Sequence, residues 1–185
     1  MAGLGRSACA LAALLFAVLL LAPAGRAQEN LRLVEQDIKA GLLYNFLRYT
    51  EWPHPPAPGD AVVVCVWGDD PFEGRLAPMA GRTVNQRRIE IRTVHAENQL
   101  NGCALLFINA GERANWPTLR QHLQGRSILT VSDYDGFAQA GGMLEFARVS
   151  NRIAVRINVA AAQSADLQVE DRLLRLASVV GARAP

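Results

Sequence analysis

The sequence predicts a single α/β domain: a mainly parallel sheet flanked by helices, with an antiparallel hairpin at its C-terminal edge. Three observations carry this. "AVVVCVW" (61–67) and "CALLFIN" (103–109) are continuous apolar runs, the pattern of strands covered on both faces, and "SILTVSD" (127–133) reads as a third strand of the buried type. "GMLEFARV" (142–149) and "RIAVRINV" (152–159) alternate polar with apolar, and the polar Ser150-Asn151 between them suits a hairpin turn. Segments with helical spacing stand between the strands, which favours parallel neighbours joined by crossovers.

The 185 residues are 50% hydrophobic, enough for one sizeable core. Residues 1–27 have the layout of an export leader: Arg6, a charge-free run from Ala10 to Ala22, a break at Pro23 and small residues leading to Ala27. The run is shorter than the roughly 20 residues of a membrane span. The expected mature chain is therefore 28–185, exported and without a membrane-inserted segment. Of 19 Lys and Arg residues, Arg6 and Arg26 leave with the leader, and the remaining basic charge equals the 17 Asp and Glu. That balance removes the electrostatic case for nucleic acid or anionic lipid.

Val34, Ile38, Leu42, Phe46 and Tyr49 recur at helical spacing and predict a helix over 31–49 with that stripe inward. Trp52-Pro53 ends it and opens a proline-rich loop. A short helix is expected over 72–79, an exposed-face strand over 87–94 ("RRIEIRTV"), and a helix from Trp116-Pro117 to Leu123. A final helix over 170–180 should bury Leu173, Leu176, Ala177 and Val180.

Catalytic patterns are missing from this series. His54, His95 and His122 lie far apart with no HxH, HExxH or CxxC partner, so neither a metal nor any other cofactor is expected. There is no GxSxG elbow, and neither cysteine of the mature chain has a histidine nearby in sequence. The chain is expected not to be an enzyme. In "TVSDYDGFAQAGGMLEF" (130–146) the glycines precede a strand and no Lys-Ser/Thr follows, which excludes a phosphate loop. Gly141-Gly142 are expected to serve positive φ or a close backbone approach, and the aspartates of this loop and of Asp69-Asp70 to act as turn caps. Phe137, an aromatic in a loop, is expected to be exposed and to contact a partner. Cys65 and Cys103 are an even pair in an oxidising compartment, hence a disulfide candidate; two buried thiols are the other reading. In simple parallel register the two Cα atoms would lie beyond ~7 Å, so a bond needs an offset between the strands.

Taken in order, "IKAGLLYNFLRYTEWP" (38–53), "VVVCVWGDDPF" (62–72), "CALLFIN" (103–109), "ILTVSDYDGFAQAGGMLEF" (128–146), "RIAVRINVAAAQSADLQV" (152–169) and "RLLRLASVV" (172–180) resemble the YfiR family of small exported proteins. The resemblance spans nearly all of 28–185. It implies a periplasmic protein that works by binding: a repressor of an inner-membrane, GGDEF-type diguanylate cyclase, contacting its periplasmic region and so restraining cyclic di-GMP and biofilm. A homodimer is compatible with this. It also implies a structural disulfide, since Cys65 and Cys103 fall where one family pair falls; a second pair near "GGMLEFARV" is missing here. The expected contact residues are Tyr44, Phe46, Tyr49 and Trp52 with Phe137, although the first four could equally form the core face of their helix. The competing reading is a small-ligand receptor for a sensor kinase or transporter, with a pocket of Asp69, Asp133 and Asn158 after the strand ends.

Overall fold

The computed structural model describes residues 23–180 apart from positions 56, 58 and 151, with side chains from residue 28. Most of the expected leader, through residue 22, lies outside the described residues. The chain divides into two compact units, one ending at Glu35 and the other beginning at Gln36. The described part of the first is the opening half of helix α1 (Pro23–Arg48). Everything else belongs to the second unit.

That unit is built on an eight-stranded sheet. Its strands are β2 (Val62–Trp67), β3 (Thr83–Val84), β4 (Arg87–Val94), β5 (Cys103–Ile108), β6 (Leu129–Ser132), β7 (Leu144–Val149), β8 (Arg152–Ile157) and β10 (Ala177–Val179), in the order β10-β8-β7-β6-β5-β2-β4-β3. Pairing is parallel except for β7–β8 and β3–β4. A two-stranded antiparallel ribbon joins β1 (Thr50–Glu51) to β9 (Gln168–Val169). Three short helices complete the fold: α2 (Trp116–His122), α3 (Val159–Gln163) and α4 (Asp171–Leu174).

The apolar runs behave as expected of strands covered on both sides. Val62, Val64 and Val66 of β2 pack into one cluster with Leu43, Phe46 and Leu47 of α1. Val63 and Cys65, pointing the other way, join Trp116, Leu119 and Phe137 in a second cluster. Alternation within a continuous apolar run thus feeds two cores at once.

The cysteine offset has a visible cause. Cys103 stands opposite Val63, but Leu105 already stands opposite Val64, so Ala104 is an extra residue on β5. This bulge brings the Cα atoms of Cys65 and Cys103 to 5.8 Å, within bridging range, and the disulfide is formed.

Three expectations need correction. Along α1 the buried positions are Gln36, Lys39, Ala40, Leu43, Phe46 and Leu47, whereas Val34 and Ile38 are 55% and 49% exposed. The inward stripe is rotated because two polar residues occupy core-facing positions, which a count of apolar residues cannot find. Residues 72–79 make turns and a short 3-10 stretch (Ala77–Met79), since Glu73 and Gly74 adopt φ of 51° and 80°, incompatible with a helix. The final helix stops at Leu174; Leu173 is buried, but Leu176 is 61% exposed, and Ala177–Val179 instead add in parallel to β8. The antiparallel pair β7–β8 is present, with one more strand outside it.

Candidate functional site

The glycine loop after β6 is a fastened structural element. Lys39 Nζ donates to Asp133 Oδ2 at 2.8 Å, with both side chains largely buried. Glu145, 0% exposed on β7, accepts from the Gly136 and Ala138 amides at 3.2 and 3.0 Å and from Arg156 Nη1 at 2.7 Å. Arg156 also donates to Asp135 at 2.9 Å, and this carboxylate holds the guanidinium above its ordinary pKa. Asn158 donates to the Ala138 carbonyl and caps α3 through the Ala161 amide. The Trp116 indole donates to the Ala140 carbonyl at 3.1 Å. Gly141 adopts φ +88°, and a Cβ on Gly142 would collide with the Phe137 ring, so both glycines answer the backbone needs expected of them.

Phe137 corrects the corresponding expectation: it is 0% exposed, with its ring 4.6 Å from that of Trp116 and 5.1 Å from that of Tyr134. The loop folds back over the second core, so its aromatic is the plug and not the tip. Its aspartates also differ from the capping role. Asp133 and Asp135 are ion-pair partners, while Asp70 does cap, accepting from the Phe72 and Gly74 amides at 2.9 and 3.1 Å.

Tyr134 beside this plug is pushed up to about 12, chiefly by burial and further by the Glu145 charge, against the pull of Arg113. A pKa raised from 10.0 contributes stability that is complete below pH 10 and is lost as pH climbs toward 12. We expect an ultraviolet titration of the folded protein to show tyrosine ionisation continuing toward pH 12; no ionisation step above pH 11 would contradict this.

The surface aromatics gather at the end of α1. Tyr44 and Tyr49 are half-buried, each with an arginine over its ring: Arg82 at 4.9 Å from Tyr44 and Arg48 at 5.4 Å from Tyr49. The Tyr44 hydroxyl donates to the Thr83 carbonyl at 3.1 Å. Trp52, also half-buried, is fixed by its Nε1–H donating to the Ala104 carbonyl at 3.2 Å. Phe46 is fully buried against Phe146, which corrects its expected surface role. A pocket of about 270 Å³ is bordered by Trp52, Asn85 and Arg87, and a larger cleft also borders Trp52.

Asp69, Asp133 and Asn158 have separate tasks, and none of them lines either opening around Trp52. Asp69 is exposed, and its backbone carbonyl accepts from Asn109; the other two serve the glycine loop. Among the described residues, no group of three or more metal-ligating side chains comes together, and no helix is long and apolar enough to cross a membrane.

Glu145 and the arginines over the tyrosines were missed by reasoning from sequence. Glu145 sits in an alternating strand, where its polarity signals a solvent-facing position; only the adjacent glycine loop with its free amides hints otherwise.

These features define a mixed α/β domain closed by a disulfide, with its polar clusters committed to structure and its aromatics at one end. The family model described as YfiR/HmsC-like matches residues 36–178, and the chain belongs to that family. No curated protein matches it.

Proposed function

We propose that this protein is a periplasmic, non-catalytic repressor of a membrane-bound diguanylate cyclase, acting by contact with the cyclase's periplasmic region. Family membership is the observation that carries the reading. In it, residues 1–27 are the export leader and 28–185 the working chain.

The contact surface centres on Tyr44, Tyr49 and Trp52, with Arg48 and Arg82 over the two tyrosine rings. Two considerations support this surface. Tyrosine, tryptophan and arginine are the residues whose burial contributes most to interfaces. These aromatics are also held in place before binding, so little side-chain freedom is lost on contact.

Co-purification with the periplasmic region of a candidate cyclase, together with cellular cyclic di-GMP, tests it. Tyr44→Ala or Trp52→Ala should weaken binding about 30-fold or more, as hot-spot truncations do, and raise cyclic di-GMP. Because these rings also touch the core, Arg48→Glu and Arg82→Glu serve as surface variants that spare it. Unchanged binding in both arginine variants would move the interface elsewhere; unchanged cyclic di-GMP on deleting the gene would end the regulatory reading.

A further inference from the structure

The smaller pocket beside Trp52, about 270 Å³, lies just below the ~300–1,000 Å³ of drug-sized ligand sites, which leaves room for a small molecule. Its lining comes from elements fixed by the fold. Leu47 of α1, Val62 of β2 and Val84 of β3 belong to the first core and give the pocket an apolar side. The Trp52 indole, oriented by its bond to the Ala104 carbonyl, borders it as well. Thr50 of β1, Asn85 of the β3–β4 turn and Arg87 of β4 add polar groups.

Thr50 is the informative residue. It is 2% exposed, and its hydroxyl has no hydrogen-bond partner among the described residues. A buried polar group left unpaired is rare and costly, so one in the lining of a pocket points to a partner from outside the chain. Its neighbours in that lining indicate which kind. Asn85 Nδ2 donates to the Arg48 carbonyl at 3.3 Å, and Arg87 Nη1 donates to the Asn85 carbonyl at 3.5 Å, so the hairpin holds both side chains in place. An asparagine amide has a second N–H and a guanidinium has five, so together with the Thr50 hydroxyl three donor groups border one space. Such a set suits an oxyanion. Glu51, the one carboxylate among the described lining residues, is exposed where Thr50 is buried; successive side chains of a strand point to opposite faces, which turns its charge away from that of the ligand. An inorganic oxyanion would leave the apolar side uncovered, whereas an organic one covers it.

We propose that this pocket binds a small organic monocarboxylate, with the carboxylate on Thr50, Asn85 and Arg87 and a short apolar body against Leu47, Val62 and Val84. This goes beyond the repressor reading and does not depend on it, since binding is measured on the protein alone.

Calorimetric titration of the purified protein with butanoate, hexanoate and benzoate tests it, with butylamine and inorganic phosphate as comparisons. The expected result is saturable binding of at least one carboxylate, tighter than either comparison. Thr50→Val should weaken it about tenfold or more, the loss that follows removal of a hydrogen bond to a charged group. Because the hydroxyl has no partner within the protein, the same variant should melt no lower than the unsubstituted protein, which separates a lost ligand contact from a lost fold. Arg87→Gln should weaken binding at least as much, and Glu51→Gln should leave it intact. Absence of saturable binding by any carboxylate, equal binding in Thr50→Val, a lowered melting midpoint in that variant, or phosphate or butylamine binding as tightly as the carboxylates would each overturn the proposal.

Discussion

Replacing Cys65 and Cys103 together by alanine is expected to lower the thermal midpoint by about 8–16 °C. The two cysteines are 38 residues apart, and closing a loop of that size removes about 4 kcal/mol of chain entropy from the unfolded state. Each kilocalorie shifts the midpoint of a chain this long by about 2–4 °C. Both residues are buried, so alanine leaves only a small gap in an apolar cluster, and lost cross-linking should dominate. Calorimetry of the oxidised, reduced and double-alanine proteins checks this: the last two should melt together, well below the first. Three coincident melting curves would mean the bond contributes nothing.

The second large effect concerns Glu145. Glu145→Ala should cost about 2–4 kcal/mol, because it leaves the Gly136 and Ala138 amides without their acceptor and Arg156 with only the exposed Asp135. Asp135→Ala removes the other partner of the same arginine, but Asp135 has an 88% exposed side chain, so its loss should cost less than about 1 kcal/mol. Urea unfolding compares the two: both pairs share Arg156 Nη1, and only Glu145 also holds the two loop amides. Hydrogen exchange should further show the Gly136 and Ala138 amides losing protection in Glu145→Ala only. Equal costs for the two substitutions would refute the view that Glu145 organises the loop.

Where one physical signal dominated, the fold was legible from the residues. β2 and β5 declare themselves through continuous apolar runs because both of their faces are covered, and β6 through its apolar residues, its Thr130 and Ser132 being buried with hydrogen bonds. The hairpin declares itself through alternation. Legibility failed where a polar residue does a core residue's task. Gln36 and Lys39 face inward on α1, the latter because Asp133 neutralises it, and the expected helical stripe came out rotated. Glu145 failed in the same way. "LLRLASVV" combines helical spacing with a β-branched tail, and the tail prevailed because β8 offered an open edge. Phe137 was read from its place in a loop, but the loop turns inward where Gly141 and Gly142 leave room for its ring. The candidate surface was half legible: Tyr44, Tyr49 and Trp52 stand out in sequence, whereas their arginines come from β3's approach and from α1 itself. The cleft beside Trp52 was not legible, because its lining comes together only through the β1–β9 pairing.

That pairing has a kinetic consequence. The β1–β9 ribbon joins Thr50 to Val169, from opposite ends of the described chain, whereas the central parallel pairs join segments much closer in sequence. Loop-closure entropy grows with the logarithm of length, by about 0.6 kcal/mol per doubling, so the ribbon gains its full return only after intervening strands have shortened the effective loop. Translation reinforces that order, since residue 50 must wait for residue 169 to be made. The region around Trp52 is therefore expected to be assembled late in folding, after the central sheet.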